Sequence, residues 1–274
     1  TQPIFASRVK FPPFYEIGND LWGVTVVGHL AFVADTHNGI FVVDVEDVSR
    51  PHIIGRCVLP EVKGRERRSY VGALAPVSDY VLVAGGWSDL HVVEARGMSR
   101  VPTKEPDTPP KVLPPSPPAT ASEQEYRIYQ SDGQIHAVDL LGDKAIVACG
   151  SDGVHVVQLW PEIQKLSSLR TAGFATDVCV QGTRIFIAES AGGLSICRLA
   201  EQDELIRTIR FESTRGVIRQ VEVPPPGKFA MIQAGANTLQ FVDVTDPEAP
   251  QLVLSEARMG LLYGDQLMRG TVED

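Results

Sequence analysis

Short runs of apolar residues recur along the whole chain and are separated by Gly, Asp, Asn or Pro. The runs are rich in Val and Ile, which is typical of β-strands joined by tight turns. They come in ordered sets of four, and the first set covers residues 24–26, 30–35, 40–44 and 51–55. Polar residues fill the turn between the second and third run of each set. This pattern predicts four-stranded antiparallel units repeated along the chain.

The first runs of the successive units start 40 to 64 residues apart, at Val24, Leu74, Val138, Val178 and Val221. A period near 40 residues with four short strands per unit is the signature of a β-propeller blade. Stacked blades bury both faces of each sheet, which explains strands that are apolar at nearly every position. A solenoid of β-hairpins is the competing architecture. We predict one all-β propeller domain over residues 1–274, with blades at 22–60, 70–128, 134–172, 174–212 and 217–258.

Two stretches carry a recognisable motif. Residues 23–51 read GVTVVGHLAFVADTHNGIFVVDVEDVSRP, and residues 239–250 read LQFVDVTDPEAP. Both resemble the LVIVD repeat, whereas the three middle units lack its Asp-Pro turn. The resemblance implies a propeller fold. It does not imply one particular activity, because LVIVD repeats are not tied to a single shared function.

Three segments depart from the repeat. Residues 101–122 form a proline-rich insertion, interpreted as a surface loop or as an arm that recognises a partner or a neighbouring subunit. Residues 4–12 resemble an outer strand, and residues 260–267 resemble an inner one, so each end supplies a partial blade. Two interpretations stay open. Either the chain is part of a six- or seven-bladed ring, or residues 4–11 fasten onto the fifth of five blades.

Candidate functional residues follow from this architecture. We call the residue two positions before each starting Val or Leu the lead-in residue. In a propeller, the lead-in residues and the turns between the second and third strands lie on the same face. Binding and catalytic residues are commonly found in such clustered loops. Aromatic, guanidinium and carboxylate groups converging there suit a polar ligand. The catalytic candidates are His37, His136, Asp177 and Arg219. The ligand-binding candidates are Trp22, Asp35, His37, Trp87, His136, Asp152, Asp177, Glu189 and Arg219.

Structural roles compete with these functional ones. Asp35 and Asp152 lie in hairpin turns, where Asp commonly bonds its own backbone. Arg219 and Asp177 are on neighbouring lead-ins and could form an ion pair. Trp22 could fill the central channel of the propeller as an apolar side chain. His91 and His155 share an equivalent third-strand position and are predicted to pack between blades. The four cysteines are predicted to be buried free thiols.

Composition narrows the function. The net charge of −9 argues against a nucleic-acid partner, and no apolar run reaches the length of a membrane helix. No catalytic motif such as Gly-x-Ser-x-Gly is present. No cofactor is predicted, although two His and several carboxylates leave room for a divalent metal. The compartment, exported or cytoplasmic, stays open. We predict a scaffold that binds a protein or a small polar or carbohydrate ligand; the alternative is an enzyme acting on a carbohydrate-like substrate.

Overall fold

A computed structural model describes most of the chain: residues 5–11, 21–36, 38–57, 59, 71–77, 80–86, 89–94, 128–212, 216–235, 238–256, 260–263 and 266–269. The chain divides into two compact units, each held together by its own contacts. Unit 1 contains Pro3–Val138 and Leu159–Gln164, and unit 2 contains Asp139–Gln158 and Lys165–Asp274. Each unit is described by itself. No helix in the described part of the chain has the length and apolar character needed to cross a membrane.

The described residues form five sheets of four antiparallel strands each, paired in chain order, and we call these sheets blades 1 to 5. Blade 1 contains β1 (Leu21–Val27), β2 (Leu30–Asp35), β3 (Gly39–Asp44) and β4 (His52–Cys57), and blade 2 contains β5 (Leu74–Val77), β6 (Tyr80–Ala84), β7 (Leu90–Glu94) and β8 (Ile128–Tyr129). Blade 3 contains β9 (Ala137–Leu141), β10 (Lys144–Ala148), β11 (Val154–Gln158) and β12 (Gln164–Leu169).

Blade 4 contains β13 (Asp177–Gln181), β14 (Arg184–Ala188), β15 (Leu194–Leu199) and β16 (Leu205–Phe211), with a short 3-10 helix at Glu201–Asp203. Blade 5 contains β17 (Ile218–Glu222), β18 (Phe229–Ala234), β19 (Thr238–Asp243) and β20 (Gln251–Glu256). A two-stranded hairpin follows, made of β21 (Gly260–Tyr263) and β22 (Gln266–Arg269). The all-β propeller class predicted from the repeat is confirmed.

The apolar strands form cores between neighbouring blades. In unit 1, Phe32 and Val42 of blade 1 pack in one cluster with Val81 and Val83 of blade 2. In unit 2, Phe186 of blade 4 belongs to a cluster that also contains residues of blade 5. These central strands are buried on both faces, which is why they lack the polar alternation of a one-sided sheet.

The tight turn between the second and third strands needs a residue with positive φ. Gly153 has φ 81° and Gly193 has φ 93° at equivalent places in blades 3 and 4. A Cβ on Gly153 would lie 2.3 Å from the Leu169 carbonyl oxygen, so the fourth strand also leaves no room for a side chain. In blade 2 the same place is held by Asp89, with φ 77°.

Both partial blades predicted at the ends differ from the structure. Residues 5–11 belong to no strand, so the outer strand predicted over residues 4–12 is wrong for this part. Side chains hold the segment instead: the Phe11 and Phe41 rings lie 5.0 Å apart, and Ser7 Oγ donates a hydrogen bond to the Val48 carbonyl. Residues 260–267 do not form one inner strand but lie in the hairpin. The insertion at 101–122 is outside the described residues.

Candidate functional site

Backbone bridges fix the second-to-third-strand turn of one blade against the lead-in of the next. Ile218 N–H donates to the Ser190 carbonyl at 3.0 Å, which joins blade 4 to blade 5. The same bridge joins Gly150 to Ala175 and Gly86 to Ile135. In unit 1, Val71 N–H donates to the Thr36 carbonyl at 3.3 Å. Each turn is therefore held at a fixed place beside the next blade. We call this side of the blades the turn edge.

The lead-in residues directly follow the bridge residues. His136 follows Ile135 and so lies beside the blade 2 turn, and Arg219 follows Ile218 beside the turn that contains Glu189. Asp177 lies two positions after Ala175, beside the blade 3 turn. The bridges thus place each of these lead-in residues next to the turn of the preceding blade along the backbone. His37 and Trp87 lie outside the described residues.

Trp22 and Arg219 both sit on β-bulges. The strand register shifts between Leu21 and Gly23 in β1 and between Ile218 and Gln220 in β17. A bulge redirects a side chain out of the regular ladder, and bulges are common next to functional sites. Trp22 and Arg219 are exposed.

Asp35 is buried and stabilises its own turn. Its Oδ1 accepts hydrogen bonds from the Asn38 side-chain amide at 2.9 Å and from Asn38 N–H at 3.3 Å. Arg56 Nε donates to the Asn38 carbonyl at 2.8 Å. These hydrogen bonds lie in the interior, so Asp35 contributes to the fold of the blade 1 turn.

Glu189 is also buried. Its Oε1 accepts from Arg207 Nη2 at 2.8 Å, and its Oε2 accepts from Ala172 N–H at 2.8 Å. Arg207 Nε donates in turn to Ser195 Oγ at 2.8 Å. Both carboxylate oxygens are therefore engaged inside unit 2, where Glu189 ties the connection between β12 and β13 to the blade 4 turn.

The third-strand histidines, which were predicted to pack between blades, are both buried: His91 is 0% and His155 is 1% exposed. Asp152 Oδ2 lies 3.2 Å from His155 Nε2, while the Asp152 side chain remains partly exposed. His136 is half-buried, and burial lowers its pKa. The three cysteines for which the structure describes the thiol, Cys149, Cys179 and Cys197, are free and buried as predicted.

Asp177 has backbone partners and does not pair with Arg219. Its Oδ2 accepts from Val221 N–H in blade 5, and its Oδ1 accepts from Val178 N–H, each at 2.9 Å. The pKa of Asp177 is raised to about 7, mainly by burial and further by the nearby Glu222 and Asp139 carboxylates, while the two hydrogen bonds act to lower it. The ion pair considered from the sequence is replaced by this cross-strand bond.

Two further carboxylates of the inner strands, Asp139 and Glu222, were not among the predicted site residues. Asp139 Oδ2 accepts from Val180 N–H in blade 4 at 2.6 Å, in the same way that Asp177 reaches blade 5. Burial raises the pKa of both Asp139 and Glu222. Their position in the sequence could have indicated them, because each carboxylate directly follows the starting Val, one position inside the first strand.

Metal binding finds no geometric support in the described part of the chain, where no group of three or more His, Cys, Asp or Glu side chains could hold an ion.

Comparison with solved structures supports the fold class, the β-propeller. The structure is similar to the WD40 beta propeller domain of Doa1 (TM-score 0.56, 10% identity, 86% of this chain and 68% of that one). It is also similar to the beta-propeller domain of Cps50 (Swd1) from Myceliophteria thermophila (TM-score 0.59, 12% identity, 88% and 73%). The computationally designed Ika8 protein gives a TM-score of 0.59 at 11% identity, with 90% of this chain covering 66% of that one. At these identities the likeness establishes the fold alone.

The LVIVD repeat model then matches residues 18–58 and 220–256, which are blades 1 and 5. The chain therefore carries LVIVD repeats at these residues, as the motif predicted. The two matched blades are also those whose first strand has a β-bulge, at Trp22 in blade 1 and at Arg219 in blade 5. No curated protein matches the sequence. A propeller with these repeats is a scaffold of the kind that mediates interactions.

Proposed function

We propose that the chain is a binding scaffold that recognises a protein or a small polar or carbohydrate ligand at the turn edge. The observation that supports this most strongly is the set of backbone bridges between each turn and the next lead-in. Loops held in this way on a rigid sheet present side chains at fixed positions, which lowers the entropy lost on binding.

Arg219 is the residue of unit 2 best suited to recognition. Its side chain is exposed, stands on a bulge, and lies beside the blade 4 turn through the bridge between Ser190 and Ile218. A guanidinium fork binds a carboxylate or phosphate through two parallel hydrogen bonds. The partner at this position therefore carries an acidic group. Asp152, partly exposed on the blade 3 turn, accepts a donor from the same partner.

The enzymatic alternative rests mainly on Asp177, whose pKa of about 7 would suit acid–base chemistry. Both of its oxygens nevertheless accept backbone N–H groups, one within β13 and one from β17. A carboxylate used in this way joins strands. This favours the scaffold over an enzyme acting on a carbohydrate-like substrate.

The experiment is selection of displayed random peptides, together with a panel of neutral and acidic oligosaccharides, on immobilised chain. We expect enrichment of acidic sequences or acidic sugars on the unmodified chain, and its loss on the Arg219→Ala variant. Arg198→Ala is the matched control, because Arg198 is an exposed arginine of the same unit near the far end of β15. Equal retention by both variants, or no enrichment at all, would contradict the proposal.

A further inference from the structure

Arg219 is the extra residue of the β-bulge in β17. Ile218 pairs with Ala234 on β18. Gln220 pairs with Gln233, the neighbouring residue on β18, so Arg219 stands between two paired positions without an opposite residue of its own. A bulge residue lies outside the regular ladder of the sheet. The direction of the Arg219 side chain therefore depends on what else holds the peptide groups on either side of it.

Blade 4 holds the backbone on both sides of this bulge. Ile218 N–H donates to the Ser190 carbonyl at 3.0 Å, and Thr176 Oγ1 donates to the Ile218 carbonyl at 3.3 Å. On the other side of the bulge, Val221 N–H donates to Asp177 Oδ2 at 2.9 Å. Thr176 and Asp177 are consecutive residues where β13 begins, so one short stretch of blade 4 fixes both flanks. We call these two residues the β13 clamp.

The Asp177 half of the clamp depends on the ionisation of its carboxyl group. Oδ1 accepts Val178 N–H and Oδ2 accepts Val221 N–H. An ionised carboxylate is a strong acceptor at both oxygens, whereas a protonated one carries an O–H group on one of them. We expect the proton on Oδ2, because this oxygen lies against β17, whose Glu222 carboxylate raises the pKa of Asp177. Protonation then weakens the bond to Val221 N–H.

The groups around Asp177 favour the proton. On the elements packed against the clamp, the structure describes Asp139 on β9, Lys144 on β10, Arg184 on β14, Arg219 and Glu222 on β17, Cys179 on β13 itself, and Asp152 and Glu189 in the adjoining turns. Asp139 and Glu222 raise the pKa of Asp177. Lys144 forms ion pairs with two other acids, and Arg184 donates to two backbone carbonyls.

The remaining groups do not compete for this proton near neutrality. Burial raises the pKa of Cys179 to about 12, so its thiol stays protonated. Each of the two turn acids contacts a basic side chain of its own blade. Because burial and two neighbouring acids make the ionised form of Asp177 costly, its full bond to Val221 N–H is gained only as the pH rises through neutrality.

We propose that Thr176 and Asp177 are positioning residues for Arg219, and that proton uptake by Asp177 loosens the bulge, which makes the presentation of the Arg219 guanidinium depend on pH. Above neutrality an acidic partner meets a side chain that is already held in place, and below neutrality it has to order that side chain itself. The inference rests on the proposed function for the role of Arg219 in recognition. The clamp belongs to the free chain and is tested without a partner.

The test is a titration of the backbone amides of the full chain by NMR, from about pH 5.5 to about pH 8.5. We expect the Val221 amide proton to move upfield as the pH falls, because a weaker hydrogen bond shields it, with a midpoint near the Asp177 pKa of about 7. The Arg219 and Gln220 amides should titrate with the same midpoint. A Val221 amide that does not titrate, or bulge amides that stay fixed while it does, would overturn the proposal.

Variants assign the titration to Asp177. Asp177→Asn should remove it from all three amides, because the amide side chain does not titrate. Glu222→Gln removes a charge that raises the pKa of Asp177, so the midpoint should move to lower pH. Glu204→Gln is the matched control, because Glu204 is exposed and directly precedes β16. A midpoint that Glu222→Gln leaves unchanged, a titration that it abolishes, or an equal shift in the control would contradict the proposal.

Thr176→Val and Thr176→Ser test the other half of the clamp. Thr176 Oγ1 also lies 3.2 Å from the Ala188 carbonyl, so its single proton is shared between two acceptors. The bond to the Ile218 carbonyl polarises the peptide group that contains Arg219 N–H. Its loss in Thr176→Val should therefore shift the Arg219 amide nitrogen, and Thr176→Ser should restore the unmodified value.

No Arg219 shift in Thr176→Val, or the same shift in both Thr176 variants, would overturn the positioning role of Thr176. Because every measurement uses the chain without a ligand, the result is separate from that of the peptide and oligosaccharide selection. A selection without enrichment contradicts the proposed function alone, whereas fixed bulge amides contradict the clamp alone.

Discussion

The Asp177 carboxylate accepts the Val221 N–H at 2.9 Å and so joins the first strand of blade 4 to the first strand of blade 5. Asp139 makes the same kind of bond one blade earlier, to Val180 N–H. Unit 2 therefore uses acidic side chains to join its inner strands. Glu222 and Asp139 raise the pKa of Asp177, and Asp139 raises the pKa of Glu222.

Stability should fall as the pH rises towards neutrality because of Asp177. Its pKa is about 7 in the folded chain and 3.8 as an ordinary side chain. Between these pH values the folded state keeps a proton on Asp177 that the unfolded state has released. The contribution of Asp177 to the free energy of unfolding is therefore complete below pH about 4 and is lost as the pH approaches 7. Each unit of pKa difference corresponds to about 1.4 kcal/mol. Urea unfolding at a series of pH values measures the slope.

Asp177→Asn should flatten that slope, because the amide does not titrate. Asp132→Asn is the control, since Asp132 is an exposed acid. A slope that is unchanged in Asp177→Asn, or reduced equally in both variants, would show that Asp177 is not the responsible group.

Arg207→Met should destabilise the chain strongly, because it leaves the buried Glu189 carboxylate without its counter-charge. Breaking a buried pair in this way costs about 3–5 kcal/mol, and the partial exposure of Arg207 places the expected loss at the lower end. Arg210→Met, on the same strand, breaks only the exposed pair with Glu212 and should cost less than about 1 kcal/mol. Chemical denaturation of the two variants compares them; similar losses would contradict a structural role for Glu189.

The fold could be predicted from sequence because its determinants are local and repeated. Apolar runs, polar turns and a period near 40 residues recur in every blade, and the strands follow them. The partial blades at the ends were mispredicted for a physical reason. Whether an apolar segment such as residues 5–11 becomes a strand depends on a neighbouring edge to pair with, and Phe11 instead packs on Phe41 through its ring.

The candidate site was less predictable, because the sequence gives the position of a polar residue but not its partners. Asp35 and Glu189 were correctly placed at turns, yet both proved to be buried. Glu189 depends on Arg207, a residue of β16 that no turn pattern connects to it. Arg219 was likewise assigned to a lead-in, but its exposure follows from a bulge that only the strand register reveals.

Arg219→Ala should leave stability unchanged within about 0.5 kcal/mol, the range of ordinary surface substitutions. Its side chain is exposed and forms no ion pair with the described residues, and Asp177 is held by backbone N–H groups. Thermal unfolding of the variant and of Arg198→Ala should therefore coincide. A large loss confined to Arg219→Ala would give this arginine a structural role and remove it from the proposed binding surface.

Gly153→Ala should be among the most damaging single substitutions in blade 3. The new Cβ would lie 2.3 Å from the Leu169 carbonyl oxygen, so β12 has to move, and the positive φ adds about 1–2 kcal/mol of backbone strain. Gly142→Ala separates the two effects, because Gly142 also has positive φ but nothing lies within 4 Å of its Cβ position. We expect Gly142→Ala to lose only the backbone contribution, and Gly153→Ala to lose clearly more in the free energy of unfolding. Equal losses would mean that β12 shifts freely when a Cβ is placed against the Leu169 carbonyl oxygen.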